Sequence, residues 1–153
     1  MGWEKSESIR ICILLKSTIS NPPSNTSSLM NTKINSYKDL FVWQKAIDLV
    51  VHIYQLTGTF PKSELFCLTS QMRRAAVSIA SNIAEGRARG TRKDYRQFII
   101  IAFGSGAELE TQLIIARRLS LGDDLKLREI DTLLEQVMKM LNKLPTLTVF
   151  KNS

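Results

Sequence analysis

Five basic side chains, Arg87, Arg89, Arg92, Lys93 and Arg96, crowd around two glycines, Gly86 and Gly90, that bracket an expected turn. Each cation that neutralises a phosphate releases counterions, so such a cluster favours RNA or DNA in a salt-dependent, largely sequence-independent way. Tyr95 lies in the same stretch and offers a ring to stack on a base, with Arg73 and Arg74 a few helical turns upstream. The plainer reading is a solvated loop beside helix ends. For Arg73 and Arg74 a structural role leads, since arginine suits interface ion pairs, here with Glu85, Glu108 or Glu110 across a subunit contact.

The residues upstream of the turn carry two stripes at helical spacing. Gln71, Arg74, Ser78, Asn82 and Glu85 share a polar face, while Leu65, Leu68, Met72, Ala75, Ile79 and Ile83 form an apolar one. The remaining side is mostly small, with Val77, Ala80 and Ala84. A helix with no broad charged face is usually covered on more than one side. The polar stripe therefore reads as a hydrogen-bonded packing network at an oligomer interface, with Glu108 as a further member, rather than as a reaction site.

Catalytic constellations are missing from the pattern. Carboxylate-bridged metal pairs in four-helix bundles need Glu-x-x-His motifs, which do not occur here. His52 is the single histidine, between Val51 and Ile53, and nothing at motif spacing would let it activate a serine or cysteine. GRARG at 86–90 follows no strand, so it is not a nucleotide-binding loop. The expectation is a protein that is not an enzyme, with no metal and no cofactor.

The chain has 153 residues, 44% hydrophobic and 23% charged, which fits one soluble globular domain. Of its net charge of +7, residues 71–96 hold +5, from seven basic and two acidic side chains. Concentrated positive charge points to polyanionic partners. Cys12 and Cys67 lack metal-ligand spacing, and ICILL at 11–15 is too short to span a bilayer. A reduced, cytoplasmic protein with no membrane association is expected.

Stepping along the chain, residues 1–35 are rich in Ser, Asn, Thr and Pro without a period, and are expected to be disordered. Met30 immediately precedes the periodic region, so residues 1–29 could be an over-extended gene start; the mass of the natively expressed protein decides this. Leu40, Trp43, Ile47, Val50 and Tyr54 predict a first helix over 38–57. Gly58 and Phe60-Pro61 end it, and a second helix follows over 62–86. Thr91-x-x-Asp94 reads as a capping box for a third helix reaching 118, with Tyr95, Phe98, Ala102, Ser105, Leu109, Gln112 and Ala116 along one line. Phe98, Ile99, Ile100 and Ile101 point all round that helix, so a monomer would leave some of them in water. Gly104 and Gly106 would kink it or admit a close neighbour, and a continuous helix, at most bent, is expected because the apolar spacing keeps its phase across them. Gly122 and Asp123 stop one helix and cap the next, whose seam is Leu127, Ile130, Leu134, Val137, Leu141 and Leu144 up to Pro145. Residues 146–153 are expected to fray. The pattern predicts an all-α, antiparallel up-and-down four-helix bundle over 36–145 that assembles into a homo-oligomer.

YKDLFVWQKAIDLV with Trp43, TGTFP with Phe60 and Pro61, LTSQMRRAAVSIASNIAEG at 68–86 and IAFGSGAELE at 101–110 occur in order. Together they make the chain resemble, over about 37–144, the small bacterial four helix bundle proteins, also called 23S rRNA intervening-sequence proteins. The resemblance implies homopentamers of antiparallel four-helix subunits. It also implies kinship with the accessory protein of diversity-generating retroelements, which binds a reverse transcriptase and nucleic acid. Gly106 departs from the family-like Gly104-Ser105 pattern and is expected to loosen the third helix. The function expected is a non-catalytic accessory or scaffold that binds RNA or DNA through the basic turn, or, alternatively, a purely structural oligomer or protein adaptor.

Overall fold

Caps and breaks fix where each helix begins. In the computed structural model, which describes residues 36–144, Ser36 opens the chain with a capping box: its hydroxyl accepts from the Lys38 amide, and its own amide donates to Asp39. A short 3₁₀ turn, Tyr37–Asp39, results, and Leu40 in extended conformation separates it from helix α1, Phe41–Thr57. The expected first helix thus breaks at Leu40. A second 3₁₀ turn, Lys62–Glu64, follows Pro61, and α2 starts only at Leu68, running to Ala88. Helix α3 spans Arg92–Arg118, capped by the Thr91 hydroxyl, which accepts from the Asp94 amide at 3.1 Å. Helix α4 spans Asp124–Lys143, capped by Asp123, which accepts from the Lys126 amide at 3.0 Å. Gly90 and Gly122 take φ of 77° and 83° in the two connections, a region costly for any residue with a Cβ.

The described residues form four α-helices and no strand. Each helix packs on two others, α1 and α3 both against α2 and α4. The core is aliphatic: Leu49 and Ile53 from α1, Met72, Ile79 and Ile83 from α2, Ile99, Leu109 and Leu113 from α3, and Leu127, Ile130 and Leu141 from α4 are fully buried. Tyr37 stacks edge-on against Trp43 with centroids 5.3 Å apart, which pins the 3₁₀ turn to α1. The expectations for 1–35 and 146–153, for Cys12 and for Pro145 lie outside the described residues.

Two helices depart from their expected faces. In α1 the buried line is Val42, Ala46, Leu49, Ile53 and Leu56, whereas Ile47 and Tyr54 of the expected stripe are 37% and 47% exposed. Ahead of α2, Leu65 lies outside the helix and is exposed, as is its neighbour Phe66.

Glycines within helices mark close approaches. Gly86 sits inside α2, not at a turn: a Cβ there would lie 2.7 Å from the Phe98 Cβ, so only glycine lets α2 and α3 meet at this depth. A Cβ on Gly106 would collide with the Met138 sulfur of α4. The space at Gly106 is thus filled by Met138 of α4 rather than left loose. Helix α3 continues unbroken through both Gly104 and Gly106.

Candidate nucleic-acid interface

The turn between α2 and α3 needs only Arg89, Gly90 and Thr91, so both helices bring their charged ends to one place. Arg87 and Arg89 come from the last turn of α2 and beyond it; Arg92, Lys93 and Arg96 come from the first turns of α3. Arg89, Arg92, Lys93 and Arg96 are exposed, and Arg87 is half-buried. The two acidic residues of the stretch are both engaged locally. Glu85 accepts from Arg89 at 2.7 Å one turn along α2, and Asp94 accepts from the Thr91 hydroxyl at 2.8 Å. The Arg89 guanidinium also lies 5.5 Å from the centre of the Phe98 ring. Its hydrogen bond to Glu85, then the carboxylate charge, raises its affinity for the proton further. Lys93 and Arg96 make no ion pair among the described residues. Exposed cations of this kind suit the phosphate backbone, which is bound through charge rather than shape.

Tyr95 does not belong to that surface. Its side chain is only 3% exposed, packed beside Gly86 in the line that continues through Ala102 and Leu109. A ring in the core cannot stack on a base. Burial pushes its phenol above the usual range, and the nearby charge of Arg87 works against that shift.

Arg73 and Arg74 lie far from the turn. At about 1.5 Å per residue, sixteen residues of helix place Arg73 roughly 24 Å from Arg89 along α2. Arg73 is half-buried, donates from Nε to the Thr57 hydroxyl at 2.9 Å, and lies 4.6 Å from the centre of the Tyr54 ring. It ties α2 to α1. Arg74 donates to Gln71 at 2.7 Å and stands 3.9 Å from Glu108, a loose, exposed ion pair within the subunit.

The polar stripe is a network linking α2 to α3. Asn82 donates to the carbonyl of Ser78 at 2.7 Å and to its hydroxyl at 3.0 Å, and the hydroxyls of Ser78 and Ser105 are 2.8 Å apart. Gln112 donates to Glu108 at 3.1 Å. Glu85 turns away from this network to Arg89. The i, i+4 spacing of Glu85 and Arg89 carried that pairing in the sequence.

Sequence reasoning missed the outer face of α1, where Ile47, Val51 and Tyr54 are exposed at four-and-three spacing. Only the choice of a different buried line reveals it. His52 is half-buried and donates from Nδ1 to the carbonyl of Asp48 at 2.8 Å. Among the described residues no three His, Cys, Asp or Glu side chains stand close enough to hold a metal. Helix α3 is long and apolar enough to cross a membrane by length and composition, a property that core helices of bundles share.

A known structure is similar in fold: a protein of unknown function from the S23 ribosomal protein family of Bacteroides thetaiotaomicron. It aligns with a TM-score of 0.64 and 22% identity, covering 69% of this chain and 99% of that one. No curated protein matches the chain. The family model described as 23S rRNA-intervening sequence protein matches residues 38–143, which takes in all four helices and both stretches that carry the polar network and the basic turn. The chain belongs to the 23S rRNA-intervening sequence protein family.

Proposed function

We propose that this protein is a non-catalytic, homo-oligomeric accessory or scaffold protein that binds the backbone of RNA or DNA through the α2–α3 turn. The observation that carries the reading is the placement of Arg92, Lys93 and Arg96 on the exposed first turns of α3. The positive end of a helix dipole disfavours cations there, so a cluster of three is unfavourable for the helix itself. Phosphate oxygens, by contrast, are favoured by both the side chains and the helix N-terminus. The residues assigned to phosphate contact are Arg92, Lys93 and Arg96, with Arg87 and Arg89 contributing field; Tyr95, Arg73 and Arg74 drop out.

The subunit is read as an antiparallel up-and-down bundle. Gly86 meets Phe98, Ser78 meets Ser105 and Arg74 approaches Glu108, so contacts descend along α2 as they ascend along α3. The family resemblance favours a ring of five such subunits. Five basic corners on one particle would bind a single nucleic acid far more tightly than one, because each later contact is intramolecular. A protein partner such as a reverse transcriptase, by analogy with the retroelement accessory proteins, would then meet nucleic acid already held. A reduced, cytoplasmic setting fits this role.

Replacing Arg92, Lys93 and Arg96 by Glu should abolish retardation of a structured RNA on native gels at low salt. Unchanged retardation would remove this surface from the account. The second reading, a structural oligomer or adaptor that never touches nucleic acid, is favoured by the Arg89–Glu85 pair, which takes one cation out of the cluster. A salt titration separates the two: phosphate contacts make affinity fall linearly on a log–log plot, by about 0.7 to 0.9 per contact in slope.

A further inference from the structure

The basic turn can hold phosphates but offers no ring to a base. Tyr95 is buried, and Phe98 is half-buried beneath the Arg89 guanidinium. An accessible ring stands elsewhere: Phe41, the first residue of α1, is 63% exposed. Tyr37 and Trp43 beside it are half-buried and packed edge-on against each other.

One hydrogen bond places Phe41 at the end of the bundle that carries the turn. Arg73, near the start of α2, donates to Thr57, the last residue of α1. From that contact Phe41 and Arg89 each lie sixteen residues away, back along α1 and on along α2, which is about 24 Å in both cases. With the two helices antiparallel, both residues stand at the same end. The 3₁₀ turn before Phe41 packs on α2 as well as on α1, which holds the start of α1 against its neighbour.

Packing within the subunit does not account for the ring. Phe41, Lys45, Asp48 and His52 recur at four-and-three spacing, so Phe41 stands on a polar line of α1. The buried line, Val42, Ala46, Leu49 and Ile53, and the outer apolar face, Ile47, Val51 and Tyr54, lie elsewhere on the helix. Single exposed apolar residues are common, and this one is set apart by its neighbours. Lys45 Nζ stands 5.6 Å from the ring centre, and Lys38, three residues before Phe41, is exposed. Neither lysine makes an ion pair among the described residues. A π-face with cations beside it suits a single strand: the base stacks on the ring, and the cations meet the flanking phosphates. An apolar protein partner would want further apolar residues on this line, and it has none. A duplex keeps its bases stacked inside the helix and presents no base to the ring.

We propose that Phe41 is a stacking platform for an unpaired base of RNA or DNA, with Lys38 and Lys45 on the flanking phosphates and the strand continuing to the α2–α3 turn. This rests on the nucleic-acid reading above and adds the class of ligand, single-stranded segments. Neighbouring helix axes in a bundle lie about 8–10 Å apart, so one strand can reach both places.

Fluorescence anisotropy of a labelled oligouridylate strand and of an RNA duplex of equal length, each titrated with the full-length protein across a salt series, tests this. Phe41→Ala should weaken the single strand about tenfold, the order expected for one lost base–aromatic stack, and leave the duplex unchanged. The slope of log affinity against log salt should stay as in the wild type, because no phosphate contact is removed. Phe41→Tyr should bind the strand as the wild type does. An oligothymidylate strand run alongside distinguishes DNA from RNA as the preferred ligand. Phe41 is exposed, and an unchanged melt by circular dichroism verifies that each variant folds. A folded Phe41→Ala protein that binds the strand as the wild type does, or that loses strand and duplex alike, would overturn the proposal while leaving the basic turn as a backbone-binding site. A wild-type chain that binds neither at low salt would overturn the proposed function as well.

Discussion

Helices α3 and α4 pack against each other, yet they are finished to different degrees. Helix α4 buries Leu127, Ile130, Leu134, Val137 and Leu141 in one stripe and spreads charged residues along its outer side, with Leu125 its one strongly exposed large apolar residue. Helix α3 buries an equally good stripe, Tyr95 to Ala116, and still leaves Ile100, Ile101, Phe103, Ile114 and Ile115 at least 40% exposed. Its charges lie at the two ends and at Glu108 and Glu110, which leaves 97–107 without one. The difference teaches that α4 is complete within one subunit, whereas α3 carries apolar surface beyond what one subunit can cover.

The largest effect should separate the inner faces from the outer ones. Leu134→Ala should cost the subunit about 2–5 kcal/mol in chemical denaturation, through lost burial and the cavity left behind. The glycine pair on α3 gives the next. Gly106→Ala should forfeit most of the roughly 1 kcal/mol that alanine gains over glycine in a helix, because the Met138 side chain has to swing aside. Gly104→Ala should leave the isolated subunit up to about 1 kcal/mol more stable. Equal effects at the two glycines would erase the distinction between an inner and an outer face of α3.

Tyr95 supplies a pH test of the inner face. Burial raises its folded-state pKa above the unfolded value of about 10. Its contribution is therefore fully present below about pH 10 and is lost as pH rises through the folded pKa, because only the unfolded chain then releases the proton readily. Denaturation midpoints followed above pH 10 should fall with a slope that Tyr95→Phe reduces. An unchanged slope in that variant would place the alkaline loss elsewhere. The smallest effect belongs to the outer face: Ile101→Ser should change the stability of a dissociated subunit by no more than about 0.5 kcal/mol.

How much of this was legible in the sequence depended on how many faces each helix hides. In α4 polar residues surround a single apolar line, so period and phase could be read together, and Gly122 and Asp123 marked its start. In α1 apolar residues fall on two faces, and the heavier line of Trp43, Ile47, Val50 and Tyr54 looked like the core although Leu49 and Ile53 hold it. Periodicity gives the period, but phase is decided by what packs opposite. Gly86 looked like turn punctuation because basic residues follow it, and only the approach of Phe98 explains a glycine inside the helix. The charges of the candidate site were plain in the sequence. The burial of Tyr95 was also implied, since it starts the same line as Ala102 and Leu109, and a residue on the buried line has no face left for a base.

The central claim is that copies of this subunit assemble and so gather their basic turns. The absolute mass of the full-length protein at micromolar concentration, by light scattering, tests it most directly. The account predicts a closed particle several times 17.3 kDa, five times if the family resemblance extends to stoichiometry. A single 17.3 kDa species would contradict it.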